Sequence, residues 1–452
     1  MAVRLTCYGG VGEIGGNKFL LQDKDTKVLL DFGTGFTDGA QYFEAGIAPR
    51  GVNGAGDLFE FGLLPEIPGL YSEEALQNTS MKHSSPDVDA VVLSHYHFDH
   101  MGRIAYVDPE IPVYCGETTA TIHEAYSEAG NSPLDDHELK TFRTGDRFRI
   151  GSMEFVPVHV DHSIPGAYGF VIHTTEGALA YTGDFRFHGP AGSMTSDFVQ
   201  AASSEKPLLL LTEGTRVSLG DTKREMSEKA VLRETLGVMG PCKKLVFSSF
   251  KGNDVDRIKT FAKAAEATGR QLVVSMKTGL LLEKLEKDRG IRVPKVGRDV
   301  LVYVRRKRSG RMDDKDYRTW ERHFLASGLT AAQVRENQRS VFLHLETWNL
   351  PEMIDIKPEK GGVYVHSSTE AFNEEGETEE DVVRNWIDHL GFSYHQIHAS
   401  GHAPMDGVAR MVSGVDARTV VPVHTENPAL FSRFARGKVL LPKKAQPIKV
   451  EG

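Results

Sequence analysis

The chain has 452 residues, 40% hydrophobic and 25% charged, with a formal net charge of −9, which allows two or three domains and excludes a global basic footprint for nucleic acid. Cys7, Cys115 and Cys242 lie far apart and form no CxxC pair, which excludes a disulfide framework and fits a reducing compartment. No apolar run is long enough to span a bilayer and the N-terminus "MAVRLTCYGG" has no apolar core, so we expect a cytoplasmic protein with neither membrane span nor signal peptide.

The first part of the chain reads as short apolar strands between glycine-rich turns: "KFLLQD", "KVLLDFG", "VDAVVLSH", "IPVYCG", "EFVPVHV", "YGFVIHT" and "GALAYTGDF". Several end in a polar residue at a turn, which is how a sheet delivers side chains to a site along its edge. After "KPLLLLTEGT" the pattern changes. The helical "TKREMSEKAVLRETLGVM", the strand "KKLVFSSF", the helix "DVDRIKTFAKAAEATG" and the strand "RQLVVSM" follow in turn, a βαβ rhythm that implies a parallel sheet under helices. A long charged, helical stretch is expected from Lys284 to Arg339, then the strand "GGVYVHSS" and the acidic "TEAFNEEGETEED", a solvated loop and helix start. The end of the chain, with "YHQIHASGHAP" and "TVVPVHTENP", returns to strands and turns. This predicts one domain, residues 1–205 and 386–452, interrupted by an inserted α/β domain, residues 206–385.

The stretch "LSHYHFDHMGRI", Leu93 to Ile104, packs His95, His97, Asp99 and His100 into six positions. On a strand, His95 and His97 share one side, and the phase changes where Asp99 and His100 open a helix. Imidazole nitrogen and carboxylate oxygen suit zinc, or manganese where carboxylates dominate. Two ions need more ligands, and His162 in "HVDHSIPG", Asp184 after the strand in "AYTGDF" and His424 in "VVPVHTE" are the candidates; an aspartate at 184 can bridge two cations. His159, in an alternating strand, reads as a core or edge histidine. Asp31 in "VLLDFG" is either a turn former or helix cap, or a carboxylate that orients a ligand or water. Tyr96 and Phe98, alternating with the ligands, are expected to form the face that packs this stretch in place.

In order and spacing, His95, His97, Asp99, His100, His162 and Asp184, with Asp31 upstream, resemble the metallo-β-lactamase signature. "CYGGVGEIGGNKFLL" resembles the opening strand pair of its RNA-processing branch. "LLLLTEGTR", "SGHA" and "PVHTE" resemble the three further motifs of the β-CASP nucleases, here at Glu213, His402 and His424, and "FSSFKGNDVDRI" resembles the ribonuclease J group. The resemblance implies a metallo-β-lactamase αββα sandwich with an inserted β-CASP α/β domain. It implies two Zn2+ ions, with Mn2+ as the alternative: one on His95, His97 and His162, the other on Asp99, His100 and His424, Asp184 bridging. It implies a phosphodiester hydrolase acting on single-stranded RNA, endonuclease, 5′–3′ exonuclease or both, in which Asp99, Asp184, Glu213, His402 and Asp31 serve catalysis. His402 would contact the scissile phosphate or protonate the leaving oxygen, and Glu213 would position it.

The chain departs from the family in two ways. It ends soon after His424, so we expect the C-terminal domain of the bacterial ribonuclease J enzymes to be missing. "RENQRSVFLHLE" stands where they carry a GSQGE-like segment that helps hold a 5′ phosphate. "VHSSTE" offers Ser367 and Ser368 for some of those contacts, and "YVRRKRSGR" offers Arg305, Arg306 and Arg308 to guide a nucleic-acid backbone. A DNA nuclease of the same fold and a non-cleaving RNA-binding relative are the alternatives; a homodimer is compatible with the sequence. A lactonase or thioesterase is disfavoured, because those lack the insertion.

Overall fold

The computed structural model describes residues 2–36, 39, 41–43, 46–130, 132–220, 225–368 and 374–452, the side chains of 374–377 excepted. The chain forms two compact units: Met1–His123, Ser132–Lys223 and Gly401–Gly452 make the first, Glu124–Asn131 and Arg224–Ser400 the second. The first unit contributes β1 (Val3–Gly9), β2 (Lys18–Asp23), β3 (Thr26–Phe32), β4 (Ala90–Val92), β5 (Val113–Gly116), β6 (Leu139–Phe142), β7 (Phe148–Ile150), β8 (Met153–His159), β9 (Tyr168–His173), β10 (Ala178–Tyr181) and β11 (Leu209–Glu213). The second contributes β12 (Val246–Ser249), β13 (Gln271–Ser275), β14 (Val300–Tyr303), β15 (Val341–His344), β16 (Val363–His366) and β17 (Ser393–Gln396). β18 (Thr419–Val423), β19 (Lys438–Val439) and β20 (Pro447–Val450) return to the first.

The first unit is a sandwich of two seven-stranded sheets, ordered β20-β1-β2-β3-β4-β5-β6 and β19-β18-β11-β10-β9-β8-β7. β1 buries every second residue, the period that gives a sheet one apolar face. Leu5, Phe19, Leu21 and Val28 of one sheet meet Phe155, Phe170, Ile172 and Leu211 of the other in a single core. The outer face of the second sheet, with Val171, Ala180, Leu210 and Val420, lies under Phe198 and Ala202 of the helix Gly192–Ser204 and under Val408, Met411 and Val415 of the helix Met405–Val415. β3 and β4 run parallel in one sheet, and β10, β11 and β18 run parallel in the other. Residues that leave the C-terminal ends of β4, β10, β11 and β18 contribute to the site, and one that follows β8 joins them.

The second unit is a six-stranded, wholly parallel sheet, ordered β14-β13-β15-β12-β16-β17. Helices cover both faces, as a parallel sheet requires. Val231, Ile258 and Phe261 lie on one side, and Val334, Met353 and Ile387 on the other.

Several expectations need correction. β11 lies beyond the expected 205/206 boundary but pairs with β10 and β18, and β17 lies beyond 385/386 but pairs with β16, so the units part at 223/224 and 400/401. The stretch from Lys284 to Arg339 is not one helical run: it holds β14, 3-10 turns and the short helix Ala331–Glu336. Val300–Tyr303 is a four-residue apolar strand whose signal the flanking charges mask. The helix Met405–Val415 was not anticipated. The helix start expected in the acidic "TEAFNEEGETEED" is present, as a helix from Glu374 to Leu390; residues 369–373 lie outside the described ones, as do 221–224 at the start of the "TKREMSEK" segment.

Candidate metal centre

β4 ends at Val92, so His95 and His97 stand in the turn that follows and the strand period does not set their facing. The helix starts at Phe98, with His97 as its extended N-cap, and Asp99 and His100 lie in its only turn. Two backbone bonds tie this turn to the entry of β2 and the exit of β3, Asn17 N–H to Asp99 O and Thr34 N–H to Phe98 O, each 3.1 Å. Gly33 permits the approach: a Cβ there would meet Asp99 O at 1.6 Å. His162 follows β8, Asp184 follows β10, Glu213 closes β11 and His424 follows β18. Asp31 (φ 57°) and His424 (φ 51°) occupy the left-handed region that non-glycine residues rarely adopt, strain that concentrates at functional sites.

Asp184 is the hub. Its Oδ2 lies 3.0 Å from His100 Nε2, 3.7 Å from His95 Nε2, 3.8 Å from His424 Nε2, 3.8 Å from His402 Nδ1 and 3.9 Å from His162 Nε2. Its Oδ1 is buried with no hydrogen-bond partner. On one side of it, His95 Nε2 and His162 Nε2 each lie 3.0 Å from His97 Nδ1. The Nδ1–H of His162 is committed to Gly401 O at 2.6 Å, and that of His95 to Ser94 Oγ at 3.0 Å. Both Nε2 atoms therefore present lone pairs to the same point, and the single proton His97 Nδ1 can carry does not satisfy both. A cation does. On the other side, Asp99, His100, Asp184 and His424 offer ligand atoms within 4.8 Å of one another, with His424 Nε2 2.9 Å from Asp99 Oδ2.

The electrostatics agree. Burial and the neighbouring imidazoles push His95 and His162 well below the ordinary histidine range, so they are neutral donors. Burial also opposes charge on His100 and His424, but Asp184 and Asp99 outweigh it: His100 is held well above its ordinary range and His424 is raised to about 9. Burial works against the Asp99 and Asp184 carboxylates too, yet the facing histidines keep both below the usual range. The carboxylates demand positive charge at this point. Nitrogen-rich, oxygen-completed donor sets of this kind fit zinc, so the residues present fit the metal that the donor chemistry implies.

An outer ring fixes these groups. Asp31 is neither a helix cap nor in reach of a substrate: its Oδ1 accepts Ser94 N–H (2.7 Å), and its Oδ2 accepts the hydroxyls of Ser94 (2.7 Å) and Tyr181 (2.5 Å) and lies 2.8 Å from His100 Nδ1. That bond leaves His100 Nε2 facing Asp184. Glu213 precedes no helix. Its Oε1 accepts Phe185 N–H at 2.8 Å, which pins the segment after Asp184, and its Oε2 lies 3.0 Å from His402 Nδ1. Thr215 joins both: its hydroxyl is 2.6 Å from Glu213 Oε2, 2.8 Å from His424 Nδ1 and 3.2 Å from His402 Nδ1. His402 is part-exposed, beside the buried ligands. Sequence reasoning missed Asn17, Ser94, Tyr181 and Thr215; the signals were a hydroxyl adjoining His95, another two residues past Glu213, and the "GGN" and "AYTGD" turns.

Other candidates are placed elsewhere. His159 stacks on Tyr168 (4.0 Å) and bonds Thr144, outside the ligand groups. Tyr96 is buried, as expected of a packing face, but Phe98 is 58% exposed, because the helix turn points it outward. In the second unit, Ser367 is fully buried and its hydroxyl is engaged by Arg257 and Ile397 O, so it is not open to a ligand; Ser368 is half-buried and its carbonyl accepts Gln396. Arg306 is paired with Asp355, while Arg305 reaches Asn349 (2.9 Å) and Arg308 reaches Lys315 O (3.2 Å). The basic run is thus partly neutralised within its own unit.

Residues 67–202 match the beta-lactamase superfamily domain, and residues 392–435 match the Zn-dependent metallo-hydrolase RNA specificity domain. Ribonuclease J of Sinorhizobium meliloti is 27% identical over 387 residues, 82% of this chain and 64% of that protein. Ribonuclease J of Thermus thermophilus is 25% identical over 439 residues, 94% of this chain and 68% of that one, and Ribonuclease J 1 of Streptococcus pyogenes is 28% identical over 285 residues, 60% and 44%. The chain thus spans between 44% and 68% of the length of these three relatives. A crystal structure of a protein of unknown function from Enterococcus faecalis V583 superposes with a TM-score of 0.76 at 20% identity, covering 99% of this chain and all of that one, and shows the same fold. Among the described residues no helix is long and apolar enough to cross a membrane. By these matches the chain carries a beta-lactamase superfamily domain and a metallo-hydrolase RNA specificity domain, and it is similar to the ribonuclease J proteins over most of its length.

Proposed function

We propose that the chain is a metal-dependent ribonuclease that hydrolyses phosphodiester bonds of single-stranded RNA. The observation that carries the reading is the convergence of five histidine nitrogens within 4 Å of Asp184 Oδ2, four of them buried, from segments far apart in the sequence. The RNA specificity match at residues 392–435, which includes His402 and His424, and the ribonuclease J relatives support RNA as substrate.

His95, His97 and His162 would hold one zinc ion and Asp99, His100 and His424 the other, with Asp184 shared; manganese is the alternative. When bound, such a pair supplies Lewis-acid stabilisation of phosphoryl oxygens and lowers the pKa of water. The remaining chemistry belongs to the chain. Glu213 and Thr215 hold the His402 ring through Nδ1, and from that orientation His402 would contact a phosphate or donate a proton to the leaving oxygen. Asp31 keeps His100 in one tautomer, and Ser94 does the same for His95. These are positioning roles.

The test is cleavage of 5′- and 3′-labelled RNA, with a matched DNA oligonucleotide, in Zn2+ and in Mn2+. We expect RNA cleavage, two metal equivalents by elemental analysis, and its loss in Asp184→Ala with the circular dichroism spectrum retained. Undiminished cleavage by Asp184→Ala would overturn the mechanism, and preference for DNA would overturn the substrate.

A further inference from the structure

We propose that Phe36 and Phe98 form a stacking rim at the metal centre, where their rings take unpaired nucleobases flanking the bond to be cut. The inference rests on the ribonuclease reading and deepens it. Phe98 is 58% exposed although both chain neighbours, His97 and Asp99, belong to the metal-ligating groups and Asp99 is buried. The helix turn divides them: Asp99 points in and Phe98 points out. Phe36 is 53% exposed and lies on the same rim. Its ring edge comes within 2.8 Å of the point where a Cβ on Gly15 would stand, and that point is 3.0 Å from Asp99 Cβ. Gly15 (φ 80°) is therefore the spacer that lets the ring sit beside the ligand turn, and a larger residue there would expel it.

Two large apolar rings in water beside a polar centre call for an apolar partner. The centre itself consists of mostly buried carboxylates and imidazoles, which address a phosphate, while the exposed rings beside it offer flat faces to a base. Single-stranded nucleic acid presents both, and base–aromatic stacking is the sequence-tolerant way to hold it. Phenylalanine has no hydrogen-bonding group, so this rim would accept any base.

The experiment combines protein variants with single abasic substitutions walked along a labelled RNA. For the wild type, an abasic residue near the cleaved bond should raise KM about 10-fold, the size of one lost stack. Phe98→Ala should raise KM for intact RNA by a similar factor with kcat within about twofold, and should no longer distinguish intact from abasic RNA. Phe98→Trp should restore the wild-type pattern and Phe98→Leu should not; Phe36→Ala should act at a different abasic position. Anisotropy of labelled RNA in an Asp184→Asn background reads the same stacks without turnover. RNA that binds with this phenylalanine dependence but is never cleaved by the wild type would retain the rim and remove the nuclease reading. Cleavage with wild-type KM and unchanged abasic sensitivity in both alanine variants would remove the rim alone.

Discussion

Asp31 Oδ2 stands 2.8 Å from His100 Nδ1, while His100 Nε2 stands 3.0 Å from Asp184. One carboxylate thus orients a ring that another carboxylate faces, and Asp31 accepts three more bonds, two from Ser94 and one from Tyr181. Asn tolerates the left-handed backbone of position 31, so Asp31→Asn removes the charge without adding backbone strain. We expect about a 10- to 100-fold loss in metal affinity or in kcat/KM, the range seen for groups that orient metal ligands, with the fold retained. Isothermal titration with Zn2+ measures it; unchanged affinity and rate would show that Asp31 only shapes the turn.

Thr215 has the same logic on the other side of the site. Its hydroxyl touches Glu213, His402 and His424, and Val is its nearest apolar match in shape. Thr215→Val should lower kcat by about 10-fold, the loss of roughly one buried hydrogen bond to a charged group, while KM changes little. A KM effect with unchanged kcat would place Thr215 in substrate binding instead.

In the second unit, Arg257 is fully buried and binds Glu228 Oε1 (2.8 Å), Ser367 and the carbonyls of Ser367 and Ala399. Removing Glu228 leaves a buried guanidinium without its counter-charge. Glu228→Ala should cost about 3–5 kcal/mol in urea unfolding, and Glu228→Gln less, because the amide oxygen still accepts a bond. This network is why Ser367, expected from sequence to meet a phosphate, is taken up by the fold.

The residues of the candidate metal centre were legible in the sequence and their supports were not, for a physical reason. Candidate donors follow from residue type after a strand, and the structure brings His95, His97, Asp99, His100, His162, Asp184 and His424 together. Which residue orients a ligand depends on contacts between distant segments: Tyr181 reaches Asp31 across 150 positions and Thr215 reaches His424 across 209. No local pattern encodes that. The fold followed the same division. Long apolar strands such as Lys18–Asp23 and Met153–His159 were visible, whereas β14, β15 and the extents of β4 and the Phe98–Met101 turn are set by their parallel neighbours and by the turn they enter.

His344 contributes an acid-side pH dependence to the second unit. It is fully buried, stacks on Phe250 at 3.7 Å, meets only Ser248 O through Nδ1 at 3.4 Å and leaves Nε2 without a partner. Burial lowers its pKa to about 3, against an ordinary value of 6.5. The folded form thus takes up its proton only near pH 3, while the unfolded form takes it up below 6.5, so protons favour unfolding. The stability this neutral histidine carries is complete above pH 6.5 and is lost as pH falls from there toward 3. At pH 5 the loss from this group is about 2 kcal/mol. His344→Phe keeps the ring against Phe250 and cannot take a proton, so its urea-unfolding free energy should fall less between pH 7 and pH 5, by about that amount. Parallel slopes for the two proteins would show that His344 does not govern the acid side.

Chelation tests the centre without a substitution. Around Asp184, the Nε2 atoms of His95 and His162 meet His97 Nδ1 at 3.0 Å with too few protons to satisfy all three, and Asp184 Oδ1 has no partner. These residues would hold a metal in the folded chain and not in the unfolded one, so binding would raise stability by mass action, about 2.7 kcal/mol at a hundredfold excess over the dissociation constant. Dialysis against EDTA should therefore lower the melting temperature of the first unit, and Zn2+ should restore it. Replacing His95 by Ala should remove both the shift and its reversal, since the three-histidine group then loses a donor. A melting curve indifferent to EDTA in a preparation shown by elemental analysis to hold zinc would mean that the ion sits elsewhere.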